Sequence, residues 1–128
     1  MFNSLARSQR ARGLLGTTRF IVLTAEANPH PPPPGIPCVT SFTFRVRNLP
    51  AALYKALGGF ATNGVNMTKL ESYMENGAFT ATFFYAEVDG QPEDDHLARA
   101  FEELGFFSER FEILGVYPAD PYREKAGR

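Results

Sequence analysis

The chain has 128 residues, about the size of one domain, and 44% of them are apolar, including 12 phenylalanines. This composition excludes an intrinsically disordered chain and favours one folded core. The formal net charge of -1 leaves no overall attraction to nucleic acid or to a membrane surface, and one cysteine rules out an intrachain disulfide.

The charge is distributed unevenly along the chain. Residues 1–37 carry four arginines against one acidic residue, whereas residues 38–128 carry 9 basic and 13 acidic side chains. We interpret the basic start as an N-terminal extension; the alternative, an organellar transit peptide, has the same composition. The single cysteine fits a reducing compartment, so we expect a cytoplasmic protein. No apolar run reaches the roughly 18–20 residues of a membrane-spanning helix.

A proline-rich segment divides the chain. Residues 18–23 predict a short strand that has no nearby segment to pair with. Residues 29–37 are mostly proline, which favours an extended, semi-rigid spacer. The predicted organisation is an extension over 1–27, a linker over 28–37, a domain over 38–118 and a polar tail over 119–128.

The domain begins with a strand and a helix. Apolar and polar residues alternate over 40–46, which indicates a half-buried strand. Asn48 is a good helix cap, and Pro50 suits the first helical turn. Asn63 and Gly64 then predict the end of this helix. The apolar residues that recur at helical spacing are Leu53, Leu57, Phe60 and Ala61.

The remaining elements complete a recognisable order. Residues 65–74 and 78–88 predict two strands joined by a turn at 75–77, where Asn-Gly is a strong hairpin signal. Pro92 predicts the start of a second helix that ends at Gly105, and residues 111–116 predict the last strand. The order βαββαβ predicts a ferredoxin-like α+β fold, with a four-stranded antiparallel sheet and both helices on one face. The predicted inner face of the second helix is Leu97, Phe101 and Leu104.

Two adjacent glycines, Gly58 and Gly59, fall inside the first predicted helix. Together they cost about 2 kcal/mol relative to alanine. We interpret them as sites of close helix packing; direct contact with a ligand is the alternative.

Polar residues near the first helix suggest a binding site. A helix start exposes unpaired N–H groups and positive potential, which suit a small carboxylate. The strand that returns after the helix carries Asn66, Thr68, Lys69, Glu71 and Ser72, which could supply the rest of such a site. No Cys/His cluster has metal-ligand spacing and no Gly-rich phosphate loop is present, so we expect neither metal nor cofactor.

The same residues carry a family resemblance. Residues 48–57 resemble the helix-start motif of the ACT domain found at the C-terminus of prephenate dehydratases, with Ala51 in place of the usual glycine. Residues 60–72 resemble the next segment of that family, but Tyr73 and Met74 replace the Arg-Pro that normally follows Glu-Ser. Thr18 and Arg19, followed by Phe20, resemble the Thr-Arg-Phe motif that closes the dehydratase catalytic domain.

The resemblance implies a regulatory module that binds L-phenylalanine between two ACT domains, in a homodimer or tetramer. In the parent enzyme, which converts prephenate to phenylpyruvate without a cofactor, Thr18 and Arg19 would contact substrate. Because most of the catalytic domain is missing, we expect this chain to be inactive alone. The ligand-binding residues implied by the resemblance are Asn48, Leu49, Pro50, Ala51, Ala52, Leu53, Asn66, Met67, Thr68, Glu71 and Ser72.

Two other functions stay open at this point. The change to Tyr73 and Met74 is compatible with a dimerisation module that has lost its ligand. An aromatic third strand over residues 77–84 faintly resembles that of RNA-recognition motifs, although the acidic character of residues 38–128 argues against phosphate binding. We therefore expect no nucleic-acid partner and no membrane partner.

Overall fold

A computed structural model describes residues 4–13, 16–24, 32, 35–47, 51–74 and 83–119, the first two ranges as backbone only. These ranges contain six strands and two helices. In chain order they are β1 (Ser4–Gly13), β2 (Gly16–Thr24), β3 (Cys38–Val46), α1 (Ala52–Thr62), β4 (Met67–Tyr73), β5 (Phe83–Asp89), α2 (Asp95–Phe107) and β6 (Ser108–Pro118).

Strands β3 to β6 form one antiparallel sheet in the spatial order β4-β5-β3-β6. With α1 between β3 and β4, and α2 between β5 and β6, this is the predicted ferredoxin-like βαββαβ fold, which the structure confirms. Strands β4 and β6 are the two edges. No helix in these ranges is long and apolar enough to cross a membrane.

Both helices cover the same face of the sheet. Phe42 and Phe44 of β3 are at most 1% exposed, and their rings pack in one cluster with side chains of α1 and α2. Phe101 of α2 meets Phe42 edge-on with ring centroids 5.0 Å apart, and Phe60 of α1 stacks on Phe42 at 5.5 Å. The predicted inner positions of α2, namely Leu97, Phe101 and Leu104, are all buried here.

The start of α1 differs from the prediction. The residue that caps the helix is Ala51, with φ 61°, and the first helical residue is Ala52. The prediction that Asn48 caps a helix with Pro50 in its first turn is therefore wrong, because a left-handed turn at Ala51 delays the helix. Asn48 and Pro50 lie outside the described residues. The predicted end is confirmed, since Asn63 is the C-cap and Gly64 has φ 69°.

Helix α2 is displaced along the chain relative to its prediction. It begins at Asp95, because Asp94 Oδ2 accepts a hydrogen bond from the Gln91 N–H at 2.9 Å and fixes a turn before the helix. The helix also continues past Gly105. Ser108 Oγ donates to the Leu104 carbonyl at 2.7 Å and satisfies the end of the helix just where β6 begins.

Strand β2 has a partner, so the prediction of an unpaired strand is wrong. It pairs antiparallel with β1, from Ser4 opposite Thr24 to Gly13 opposite Gly16. We call β1 and β2 together the N-terminal hairpin. Cα atoms of β1 come within 8 Å of Cα atoms of β6, so the hairpin lies beside one edge of the four-stranded sheet.

Candidate functional site

The predicted ligand-binding residues lie at two opposite ends of α1. Ala51, Ala52 and Leu53 are at its start, and residues 66–68 follow its end. Helix α1 has eleven residues and is therefore about 16 Å long at 1.5 Å per residue. One small ligand therefore cannot contact both groups within one copy of the chain. The rest of the first group, Asn48, Leu49 and Pro50, lies outside the described residues.

The start of α1 has the features of an anion-binding helix end. Its first helical turn closes with the Lys55 N–H donating to the Ala51 carbonyl at 3.0 Å, so the N–H groups before Lys55 have no partner within the helix. Ala51 has no side-chain acceptor that could cap them, and the first turn contains no acidic residue. Neither Ala51 nor the first turn therefore offsets the positive potential at this helix start, and that potential favours the binding of a carboxylate.

At the start of β4, two of the predicted polar residues bind to β5. Asn66 Nδ2 donates to Asp89 Oδ2 at 2.8 Å, and Thr68 Oγ1 donates to the Glu87 carbonyl at 3.3 Å. Met67 instead packs against the core on the helix side. The register shifts between Met67 and Lys69, which leaves Thr68 as the extra residue of a bulge.

At the other end of β4, the adjacent residues Glu71 and Ser72 face opposite sides of the sheet. Ser72 pairs with Phe84, a core residue, whereas Glu71 pairs with Tyr85 and faces away from the helices. Glu71 and Ser72 therefore face different sides of the sheet within one copy, because the side-chain direction alternates along a strand. That both residues bind a ligand stays a prediction.

Glu71 is held by two neighbours on its own strand. Tyr73 Oη donates to Glu71 Oε2 at 2.7 Å, and Lys69 Nζ lies 3.1 Å from Glu71 Oε1. The hydrogen bond from Tyr73 and then that from Lys69 lower the pKa of Glu71, while the same contact with Glu71 raises the pKa of Tyr73. Tyr73, which stands where the resembled family has arginine, thus makes a hydrogen bond to the preceding glutamate.

The sequence analysis missed a buried polar network on the face of the sheet away from the helices, here called the helix-free face. Tyr85 Oη donates to Ser41 Oγ at 3.3 Å, Ser41 Oγ to Tyr117 Oη at 3.3 Å, and Tyr117 Oη to Glu87 Oε1 at 3.0 Å. Ser41 and Glu87 are 0% exposed and Tyr117 is 1% exposed. We predicted no role for Ser41, Glu87 or Tyr117 from the sequence, in which nothing signals that they are buried.

The predicted catalytic residues lie in the N-terminal hairpin, and the single cysteine lies in β3. Thr18 and Arg19 lie on β2, where their backbones pair with Ala11 and Arg10. Cys38 is a buried thiol that donates to the Ile36 carbonyl at 3.2 Å, and burial raises its pKa. Among the described residues no group of three or more His, Cys, Asp or Glu is placed to hold a metal ion.

Comparisons with known proteins identify relatives of the chain, although no protein-family model matches it. It is 60% identical over 110 residues to a bifunctional N-acyl-homoserine lactone acylase/prephenate dehydratase of Komagataeibacter europaeus, a match that covers 85% of this chain and 38% of the relative.

Two solved structures resemble it as well. One is GqqA, described as a novel type of quorum quenching acylase, with TM-score 0.84 and 53% identity over 95% of this chain and 62% of that one. The other is prephenate dehydratase of Arthrobacter aurescens in complex with L-Phe, with TM-score 0.69 and 28% identity over 84% of this chain and 37% of that one. The chain thus spans less than two thirds of each of these relatives.

Proposed function

We propose that this chain, a homologue of prephenate dehydratases whose match fits their C-terminal ACT regulatory portion, binds L-phenylalanine as an effector. The observation that carries the proposal is the likeness to the Arthrobacter aurescens dehydratase, whose structure is a complex with L-Phe. The uncapped start of α1 supports it, since it suits the carboxylate of an amino acid.

We further propose that the binding site needs two copies of the chain. The start of α1 and the start of β4 lie at opposite ends of a helix about 16 Å long, too far apart for one amino acid to contact both. Strand β4 is a sheet edge, and antiparallel pairing of two β4 edges reverses one of them. The start of one β4 then lies beside the end of the other, which is the end of the sheet where α1 begins.

The sequence of β4 favours such pairing in one register. If Leu70 of both copies lies on the two-fold axis, Lys69 of one copy is opposite Glu71 of the other, so both cross-strand pairs are attractive. Leu70 and Tyr73, which are 41% and 45% exposed here, would be covered. This arrangement would give a dimer, and the tetramer alternative would need a second interface.

Calorimetric titration with L-phenylalanine tests the binding function. We expect one ligand per copy, weaker binding of L-tyrosine and L-tryptophan, and stabilisation by about 2.7 kcal/mol at a ligand concentration 100 times Kd. A dimer without any heat or melting shift at millimolar L-phenylalanine would favour the ligand-free dimerisation module instead. Salt-dependent binding of single-stranded RNA would favour the third interpretation.

A charge exchange tests the proposed two-copy site. Lys69→Glu would place glutamate opposite Glu71 of the other copy and should weaken both dimerisation and ligand binding. Glu71→Lys would place lysine opposite Lys69 and should have the same effect. The double variant restores opposite charges and should recover dimerisation. Sedimentation analysis beside calorimetry separates the two readouts, and a double variant no better than the single ones would exclude this register.

The reaction of the full-length relatives is a separate proposal. Thr18 and Arg19 would contact prephenate only where a complete catalytic domain accompanies them, so we expect no phenylpyruvate formation by the 128-residue chain. An assay with prephenate at high protein concentration tests this, and measurable turnover would contradict it. Two relatives are described as acylases, so acylase activity can be assayed as well. Cys38 is a poor candidate nucleophile for it, because the thiol is buried and burial raises its pKa.

A further inference from the structure

We propose that Glu87 and Tyr117 transmit ligand binding at β4 to the N-terminal hairpin. The inference rests on the proposed function, because it assigns a regulatory route to the same site. It joins three contacts: Thr68 with Glu87, Glu87 with Tyr117, and β6 with β1.

The first contact ties the ligand strand to Glu87. Thr68, a predicted ligand residue, donates its hydroxyl to the Glu87 carbonyl at 3.3 Å, and Lys69 pairs with Glu87 across the strands. Because Thr68 is the extra residue of the bulge, the regular ladder does not fix it on both sides. A ligand that contacts Thr68 therefore acts on the backbone of Glu87 through one hydrogen bond.

The second contact carries the displacement across the sheet. Glu87 lies on β5, and its Oε1 accepts the Tyr117 hydroxyl from β6 at 3.0 Å, so the bond spans β3, which lies between them. Both side chains are at most 1% exposed. Water cannot readily replace a hydrogen bond that is broken in a buried position, so a shift of Glu87 acts on Tyr117.

The third contact supplies an element that can respond. Cα atoms of β1 lie within 8 Å of those of β6, and β1 pairs with β2 in the N-terminal hairpin. An isolated two-stranded hairpin is marginal in water, so the opening of this one depends on its packing beside β6. A shift of β6 at Tyr117 would therefore change how often the N-terminal hairpin opens.

Hydrogen exchange of the hairpin amides, with and without saturating L-phenylalanine, tests the route in the full chain. We expect the ligand to slow exchange over residues 4–24 by about fivefold or more. In Tyr117→Phe, which lacks only the hydroxyl, this slowing should disappear while L-phenylalanine still binds by calorimetry.

Two variants control for loss of a buried hydroxyl as such. Tyr85→Phe removes a hydroxyl from the same network but leaves the bond between Tyr117 and Glu87, so its slowing should match the parent chain. Glu87→Gln retains an acceptor and should also keep the effect. If Tyr117→Phe does not fold, Glu87→Met, which lacks the acceptor, serves as the test variant in its place.

Several outcomes would refute the proposed route through Glu87 and Tyr117. Slowing that persists in Tyr117→Phe, or that is lost equally in Tyr85→Phe, refutes the route. Binding without any slowing in the parent chain also refutes it but leaves the proposed function intact. An absence of L-phenylalanine binding to the parent chain removes both.

Discussion

Replacing Gly58 by alanine should stabilise the domain, whereas replacing Gly59 by alanine should not. The two glycines are adjacent within α1, and each alanine should gain about 1 kcal/mol in helix propensity. Around Gly58 an added Cβ would meet nothing within 4 Å. We therefore expect Gly58→Ala to stabilise the fold by about 1 kcal/mol.

At Gly59 the same methyl group has no room. Its Cβ would lie 2.8 Å from Glu103 Cβ of α2 and would also strike the Glu103 carboxylate, so the two helices must separate. Overpacking of this kind costs about 1–3 kcal/mol, which cancels or exceeds the gain in propensity. This geometry confirms close helix packing as the role of Gly59, whereas Gly58 has no such neighbour.

Urea unfolding of the two variants measures the difference, which should be at least about 1 kcal/mol, or roughly 3–6 °C in Tm. Glu103→Ala removes the carboxylate but keeps its Cβ, so it should recover part of the loss in Gly59→Ala and add independently to Gly58→Ala. Equal free energies of unfolding for the two glycine variants would refute the reasoning, because propensity alone would then explain both.

Three further predictions concern single positions. Ala51→Gly should stabilise the fold by about 1 kcal/mol in urea unfolding, since Ala51 has φ 61°, a left-handed conformation that costs alanine about 1–2 kcal/mol. Tyr73→Phe should raise the pKa of Glu71 toward its ordinary value in an NMR titration. Because the pKa of Glu71 is lower in the folded state than in the unfolded state, this residue stabilises the fold above its unfolded pKa, and the stabilisation is lost as the pH falls through its folded pKa. Tyr73→Phe should therefore make the free energy of unfolding depend less on pH in this range. Cys38 should react with a thiol reagent only as fast as the fold opens, since it is buried and its pKa is raised; rapid reaction of the native protein would contradict the described burial.

The fold could be predicted because its signals are local. Alternation along β3 identified Phe42 and Phe44 as core residues, and the Asn63-Gly64 pair identified the end of α1. Helix starts were less accurate. Alanine is an unusual residue for a left-handed turn, so the residue type does not mark Ala51 as the cap; the glycine usual at this position in the resembled motif is a signal that it could be.

The candidate site was harder to predict because strand register decides it. Glu71 and Ser72 are adjacent in the motif, yet the pleat points them to opposite faces, and the bulge at Thr68 changes which face each residue takes. The burial of Glu87 also depends on contacts far along the chain, since Tyr117 reaches it from β6. The sequence of β5 alone carries no information about that contact.

The departures from the family pattern come together in the fold. Tyr73 ends β4 and pairs with Phe83, which pairs in turn with Arg45 at the end of β3, just before the chain turns into α1 through Ala51. In the proposed pairing about Leu70, this end of the sheet lies beside Asn66 of the second copy. Because the replacements at positions 51 and 73 fall at the same end of the sheet, both would act on one ligand. Restoring glycine at 51 and arginine at 73 should therefore have coupled, non-additive effects on the affinity for L-phenylalanine, and strictly additive effects would place the two residues in separate environments.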